Sequence, residues 1–366
     1  MGMRVLSLGP ESYGGFAGIA QGTRDFLGGL ASSPRVDGID HVARLAPDGG
    51  PALPDWLDEG VASGSPVGFA RRAAELARSG EHGLVFCLHV NLMPVAALLK
   101  LRYALPVWLA IHGIDAWSPP TSRLRRWSLA QADFVTSSSR FTRERFLEWA
   151  PLAPESVEVN HNPVHPEAWG LGPRPVELVR RHGLEERRVL LTLGRMLGGD
   201  RLKGHDRILD VLPRLLDLRP DTVWLVVGDG PDRARLEREA AHRGLAAHVR
   251  FAGRVPEEEK RAYYRVADAY ALVSHTEGFG IAYVEAASCG LPCVGSLTDG
   301  SRDALADGAL GALVDPENDG ELVHALDRAL GTPKRLRPEL EHFHFANMSG
   351  RMVDMLERRF PAEVAA

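Results

Sequence analysis

Residues 268–296 read DAYALVSHTEGFGIAYVEAASCGLPCVGS. The apolar run 268–274 predicts a strand buried on both faces, since strands inside a parallel sheet read as near-continuous apolar runs. It leads into a polar turn holding Glu277, Gly278, Phe279 and Gly280. A helix is expected over 281–289, and a second buried run follows Pro292. Strand, glycine-rich turn and helix in that order aim unpaired backbone N–H groups at an anion. Gly278 and Gly280 let the backbone approach a ligand with no Cβ in the way. Glu277 in the turn and Glu285 in the helix offer two carboxylates to ligand hydroxyls if both face one cleft. The alternative is structural: Glu277 complements the helix dipole and Glu285 is a solvated helix residue.

The same alternation extends outward in both directions. In the first half, strands are expected at 5–8, 37–46, 84–90, 107–112, 134–138 and 157–160, with 47–65 a loop rich in Gly, Pro and Asp. In the second half they fall at 189–193, 222–227, 249–252 and 311–314, with helices between. Strands alternating with helices predict doubly wound parallel sheets. A chain of 366 residues suggests two domains. The Pro- and Gly-rich stretch 166–175 marks the boundary, giving domains 1–168 and 169–344. A last helix within 345–366 repeats Phe345, Met348, Met352, Val353 and Leu356 at helical spacing.

Composition narrows the class. A formal net charge of −5 advertises no nucleic acid or other polyanion partner. Cys87, Cys289 and Cys293 sit in apolar surroundings without a CxxC pair, so they read as reduced core residues of a cytoplasmic protein. The opening MGMRVLSLGP reads as a first strand rather than a signal segment, and no apolar run reaches membrane-spanning length. Arg123, Arg125 and Arg126 read as a solvated helix face, with a peripheral membrane contact as the alternative.

Parallel sheets bind ligands beyond the carboxyl ends of their strands. Residues in such positions are Gly14 and Gly15 after the first strand, and His112 and Asp115 after another. In the second half they are Gly194 and Arg195, then Lys203 before a helix, Gly228, and Arg254 with Val255. No GxGxxG follows either first strand, which argues against a dinucleotide-dependent oxidoreductase.

The stretch Glu277–x7–Glu285 resembles the corresponding segment of the retaining GT-B glycosyltransferases of family 4. Further similar pieces come in that family's order: Gly14-Gly15, His112-Gly113, Ser139-Arg140, Asn162-Pro163, Gly194-Arg195 with Lys203-Gly204, and Gly228-Asp229-Gly230. LKGHD and DGSRDAL are similar to bacterial exopolysaccharide mannosyl- and glucosyltransferases. One departure is His161 before Asn162-Pro163, where relatives more often carry an apolar residue and a proline. The resemblance implies an α/β protein of GT-B fold, with two Rossmann-like domains facing a central cleft and the last helix crossing back to the first. It implies a nucleotide-sugar donor held mainly by the second domain, and a glycan, lipid-linked or small soluble acceptor on the first. His112 would then contact the donor sugar, Arg195 and Lys203 the diphosphate, and the Gly14-Gly15 loop would approach the phosphate.

Chemistry on the residues fits that implication. A diphosphate needs cations and aligned N–H groups. Arg195 offers a planar fork and Lys203 a mobile point charge. The turn through Gly278, Phe279 and Gly280 supplies a helix terminus. Glu277 suits sugar hydroxyls and Glu285 ribose hydroxyls, while Gly194, Gly228, Arg254 and Val255 line the phosphate and base. Asp115 is a tentative acceptor contact. No DxD is present, so neither a metal nor another cofactor is expected. The resemblance implies retention of configuration by front-side displacement, with GDP-mannose or UDP-glucose as favoured donor. It also suggests a cytoplasmic enzyme of polysaccharide or glycoconjugate synthesis, peripheral at the inner face of the membrane if the acceptor is lipid-linked. A nucleotide-sugar epimerase or hydrolase of the same fold, or a non-catalytic sugar-nucleotide-binding protein, are the alternatives.

Overall fold

A computed structural model describes residues 2–11, 13, 18–45, 52–61, 65–196 and 203–361. The chain divides into two units, Met1–Pro163 with Phe345–Ala366, and Val164–His344.

The first unit carries strands β1 (Met3–Gly9), β2 (Val36–Ala43), β3 (Leu57–Val61), β4 (His82–Cys87), β5 (Val107–Ile111), β6 (Phe134–Ser137) and β7 (Val157–Val159). They form one sheet in the order β3-β2-β1-β4-β5-β6-β7, every pair parallel. Its helices are α1 (Gly18–Ala31), α2 (Pro66–Ala77), α3 (Met93–Tyr103), α4 (Arg123–Leu129) and α5 (Arg140–Leu147). The pleat sends alternate residues to opposite faces. Leu6, Leu8, Val85, Cys87, Leu109 and Ile111 build one core, and Val5, Leu84, Phe86, Trp108 and Ala110 the other.

The second unit repeats the plan. Its helices are α6 (Val176–His182), α7 (His205–Leu218), α8 (Arg233–His242), α9 (Glu257–Val266), α10 (Ile281–Ser288), α11 (Ser301–Ala304) and α12 (Asp319–Gly331). Strands β8 (Arg188–Leu193), β9 (Thr222–Val227), β10 (Val249–Gly253), β11 (Ala269–Leu272), β12 (Cys293–Ser296) and β13 (Gly311–Val314) pair in parallel in the order β10-β9-β8-β11-β12-β13. Strand order reverses at β1/β4 in the first sheet and at β8/β11 in the second. A crevice opens at such a reversal, because the connections on either side leave in opposite directions.

The last helix, α13 (Phe345–Arg359), belongs to the first unit. Met348, Met352, Met355 and Leu356 join Phe26, Leu27 and Leu30 of α1 in one core. Gly28 and Gly29 let the helices close: a Cβ on Gly29 would sit 2.8 Å from the Met352 sulfur. Arg358 and Arg359 of α13 both bind Glu158 of β7.

Two details differ from the sequence expectation. The chain enters the second unit at Val164 rather than at 169, because the Val164 N–H donates to Phe343 O (2.7 Å) and the side chain is buried in that unit's core. Residues 57–61, expected as loop, form edge strand β3. Its polar sequence LDEGV is tolerated because an edge strand exposes one side to water.

Gly204, just before α7, has a φ of +78°, and a Cβ there would strike the Val273 carbonyl. Gly204→Ala is therefore expected to cost at least about 1–3 kcal/mol. That should appear as a melting temperature lower by about 2–10 °C in a thermal scan; an unchanged melting temperature would contradict this packing.

Candidate active site

The reversal point of the second sheet gathers the loops after β8, β9, β10 and β11 along one carboxyl edge. They pack backbone against backbone. Gly194 N–H donates to Val227 O (3.0 Å), and Gly228 N–H to Gly253 O (2.8 Å). Gly228, at φ +128°, leaves no room for a Cβ beside Gly194 O. Arg254 and Val255 follow directly, the first exposed and the second half-buried. Arg195 is exposed, and no carboxylate among the described residues pairs with it.

Lys203 stands at the start of α7, and its Nζ donates to Glu277 Oε2 at 2.9 Å. Both side chains are about four-fifths buried. Glu277 lies in the turn after β11, and that turn is clamped by Asp299. Asp299 Oδ2 accepts the Glu277 N–H (2.9 Å), its Oδ1 accepts the Ser301 N–H (3.0 Å), and the Gly300 N–H returns to Glu277 O (2.8 Å). Gly300 has no Cβ because one would strike Gly278 O. Burial pushes the Asp299 carboxyl up to about 7; the Ser301 and Glu277 N–H groups hold it down in part, and the Glu277 charge adds to the rise.

Gly280, at φ +92°, caps α10 without a side-chain hydrogen bond. An uncapped N-terminus leaves donors for water or an anion. The Phe279 ring is buried against Phe343, centroids 5.8 Å apart, so ligand contact from this residue would come through its backbone. Glu285 is buried one turn further along. Its Oε2 accepts from Tyr264 Oη (2.7 Å), and Lys260 Nζ lies 3.9 Å from Oε1. Burial, then the Glu285 charge, drives the Tyr264 phenol well above its ordinary value, so it stays a donor.

In the first unit, His112 follows β5. Its Nε2 lies 3.1 Å from Leu88 O, a carbonyl that can only accept, so Nε2 carries the proton and Nδ1 keeps its lone pair. Burial lowers its pKa, opposed by Asp115 and assisted by His89, so the ring is neutral at pH 7. Ser138 Oγ donates to His112 O and fixes the backbone there (2.9 Å). His89, after β4, accepts the Asn91 N–H on Nδ1, leaving Nε2 4.0 Å from Asp115 Oδ2. That Asp115 oxygen is buried with no hydrogen-bond partner among the described residues. Gly14 and Gly15 lie outside the described residues.

The structure thus brings together Gly194, Lys203, Gly228, Glu277, Gly278 and Gly280 in one unit, and His112 with Asp115 in the other. Sequence reasoning missed Asp299 and His89. Asp299 acts on a turn 22 residues away in sequence, which no local pattern reveals. His89 lies in the apolar run LVFCLHV, which reads as strand, although a polar residue near the end of such a run carries the same signal as His112.

The architecture matches solved proteins over nearly its whole length. Sucrose-phosphate synthase from Thermosynechococcus elongatus superimposes with a TM-score of 0.78 at 19% identity, covering 98% of this chain and 99% of that one. Anabaena HepE in complex with UDP and glucose gives 0.70 at 18% identity, covering 98% and 95%. The fold is the GT-B glycosyltransferase fold. Residues 41–168 match glycosyltransferase family 4 and residues 177–341 match glycosyl transferases group 1. Over 311 residues the chain is 32% identical to a GDP-mannose-dependent alpha-(1-6)-phosphatidylinositol monomannoside mannosyltransferase of Mycolicibacterium smegmatis, spanning 78% of this chain and 80% of the relative. The chain belongs to this family 4, group 1 glycosyltransferase family, and it is a glycosyltransferase.

Asp299 supplies a pH-dependent prediction. Its folded-state pKa is raised, so its contribution to stability is full at low pH and is lost as pH rises through about 7. Asp299→Asn keeps one acceptor but sets its NH2 group against the other N–H, an expected loss of about 1–3 kcal/mol. Melting temperatures across about pH 5 to about pH 8 should fall less steeply in the variant than in the parent; parallel curves would remove Asp299 as the titrating group.

Proposed function

We propose that this glycosyltransferase moves a hexose from a nucleotide sugar to a lipid-linked or glycan acceptor with retention of configuration and without a metal ion. GDP-mannose is the favoured donor, because the Mycolicibacterium smegmatis relative is a GDP-mannose-dependent mannosyltransferase, with UDP-glucose as the second choice. The observation that carries the reading is the Lys203–Glu277 pair at the β8/β11 reversal, with Arg195 at the start of the β8–α7 connection that ends beside Lys203.

The chemistry is as follows. A leaving nucleoside diphosphate gathers negative charge as the glycosidic bond breaks. Lys203, with three N–H donors, keeps Glu277 on one and offers the others to a phosphate oxygen. Arg195 adds a guanidinium fork, and the uncapped start of α10 adds backbone donors. Glu277 accepts from a sugar hydroxyl, so phosphate and sugar are held side by side. Glu285, bonded through Oε2 to Tyr264 and beside Lys260, is the carboxylate proposed to meet the ribose. Neutral His112 offers its Nδ1 lone pair to a donor-sugar hydroxyl, and Asp115 receives a hydroxyl of the acceptor. Cationic side chains and helix donors then do the work that a bound metal performs elsewhere.

Arg195→Ala and Lys203→Ala are each expected to lower kcat by about 10²–10³, as when one charge-stabilising donor is removed. The first test is a thermal-shift panel of UDP, GDP, ADP, TDP and their sugars with and without EDTA. GDP and GDP-mannose should raise the melting temperature by mass action, unaffected by EDTA and abolished in Lys203→Ala. A shift that requires metal, or none with any nucleotide, would overturn the reading.

A further inference from the structure

His89 and Asp115 face each other across a gap at the carboxyl edge of the first sheet. They follow β4 and β5, which are neighbouring strands. His89 Nδ1 accepts the Asn91 N–H at 3.1 Å, so a neutral ring carries its proton on Nε2, as a donor. Asp115 Oδ2 is an acceptor with no hydrogen-bond partner among the described residues. The two atoms are 4.0 Å apart. That is too long for a direct hydrogen bond, yet one oxygen can stand about 2.8 Å from both. The χ2 torsion of Asp is soft, so a small turn of the carboxylate presents Oδ2 to such an atom.

The frame around the gap is fixed. Cys87 Sγ donates to His89 O at 3.4 Å. The loop of Asp115 is held at several points: the Ala116 N–H donates to Gly113 O (2.8 Å), Trp149 Nε1 to Ala116 O (3.1 Å), and Trp117 Nε1 to Thr142 Oγ1 (3.1 Å). The His89 and Asp115 side chains keep 19% and 18% of their surface exposed, so the pair opens to solvent on one side. A buried acceptor left without a donor destabilises a fold. Holding one on a stiff loop beside a fixed donor suits a ligand better than a structural part. The occupant must accept from Nε2–H and donate to a carboxylate. A hydroxyl does both through one atom. An ether or carbonyl oxygen cannot donate, an ammonium cannot accept, and a phosphate or carboxylate would set its charge against Asp115. Water has the same two abilities as a hydroxyl, and a ligand hydroxyl would displace it.

We propose that His89 and Asp115 form a two-point subsite for one alcohol hydroxyl of a polyol, with His89 the specificity-determining donor. The hydroxyl oxygen accepts from His89 Nε2–H, and its proton is donated to Asp115 Oδ2. In taking this polyol as the acceptor of transfer, the inference rests on the functional reading above; the subsite itself is read from the geometry of the pair.

The test is saturation-transfer NMR titration of the full-length protein, with GDP present, against methyl α-D-mannopyranoside and its monodeoxy analogues. The parent should bind the glycoside, and one deoxy analogue should bind about 10-fold more weakly, as when a hydrogen-bonded hydroxyl is removed. His89→Ala should weaken the glycoside about 10-fold and erase its advantage over that analogue. His89→Gln, whose amide N–H can reach the same place, should stay within about 3-fold of the parent. Asp115→Ala should weaken the glycoside by about 10–100-fold, the loss of a charged acceptor. The parent's GDP-induced rise in melting temperature, retained in each variant, verifies the fold and the nucleotide site. No glycoside binding by the parent overturns the proposal, as does a deoxy penalty that persists in His89→Ala. A His89→Ala variant that binds the glycoside normally but loses the GDP shift assigns the pair to holding His112, and also overturns it. Glycoside binding with the expected variant pattern, but no shift with any nucleotide, would instead sink the functional reading and leave the hydroxyl subsite standing.

Discussion

Close backbone contact at the β8/β11 reversal is the constraint on which the candidate site depends. Three glycines bring neighbouring loops to a separation that no Cβ permits: Gly228 against Gly194, Gly204 against Val273, and Gly300 against Gly278. The first joins the ends of β8 and β9. The second seats the start of α7 on the end of β11, which carries Lys203 to Glu277. The third folds the loop after β12 onto the glutamate turn. Two of these glycines also hold positive φ angles that L side chains rarely adopt. Geometry set by main-chain contact is stiff, because no rotamer change can relax it.

Stiff main chain also explains why a buried carboxyl is kept at Asp299. Turns after parallel strands leave N–H groups without sheet partners, and a buried N–H must find an acceptor. A carboxylate satisfies two at once, those of Glu277 and Ser301, where a hydroxyl would reach only one as readily. Its cost is charge burial, visible as the carboxyl's rise to about 7. The Lys203–Glu277 ion pair follows the same logic at lower cost, since each charge is partly solvated and neutralises the other. A pair of that kind is ready for a ligand with one anionic and one hydroxyl-rich part, because separating it fully is never required.

How much the sequence revealed follows from the range of each interaction. Buried strands such as 189–193 and 222–227 were legible because burial on both faces writes a continuous apolar run. The turn at Glu277 was legible because its strand, glycines and helix are contiguous. Edge strand β3 was not, since an edge needs no apolar run and its register comes from β2 alone. The unit boundary moved to Val164 because a hydrogen bond to Phe343, distant in sequence, decides it. Even the orientation of His112 was hidden, since its proton position depends on the Leu88 carbonyl of another strand.

The two units divide the electrostatic work unequally, and that division bears on mechanism. The second unit presents Arg195, Lys203 and a helix N-terminus, all suited to negative charge. The first presents a neutral imidazole, whose burial keeps it uncharged, and a carboxylate oxygen of Asp115 with no hydrogen-bond partner among the described residues. A sugar transfer needs this asymmetry. Its leaving group carries the growing negative charge, whereas the hydroxyls of donor and acceptor need neutral or anionic acceptors. A cationic His112 would carry a proton on Nδ1 and could not accept from a hydroxyl there. Burial against Phe26, with ring centroids 5.7 Å apart, therefore does more than pack the ring. It holds His112 in the protonation state that the proposed chemistry can use, and it does so without a catalytic partner.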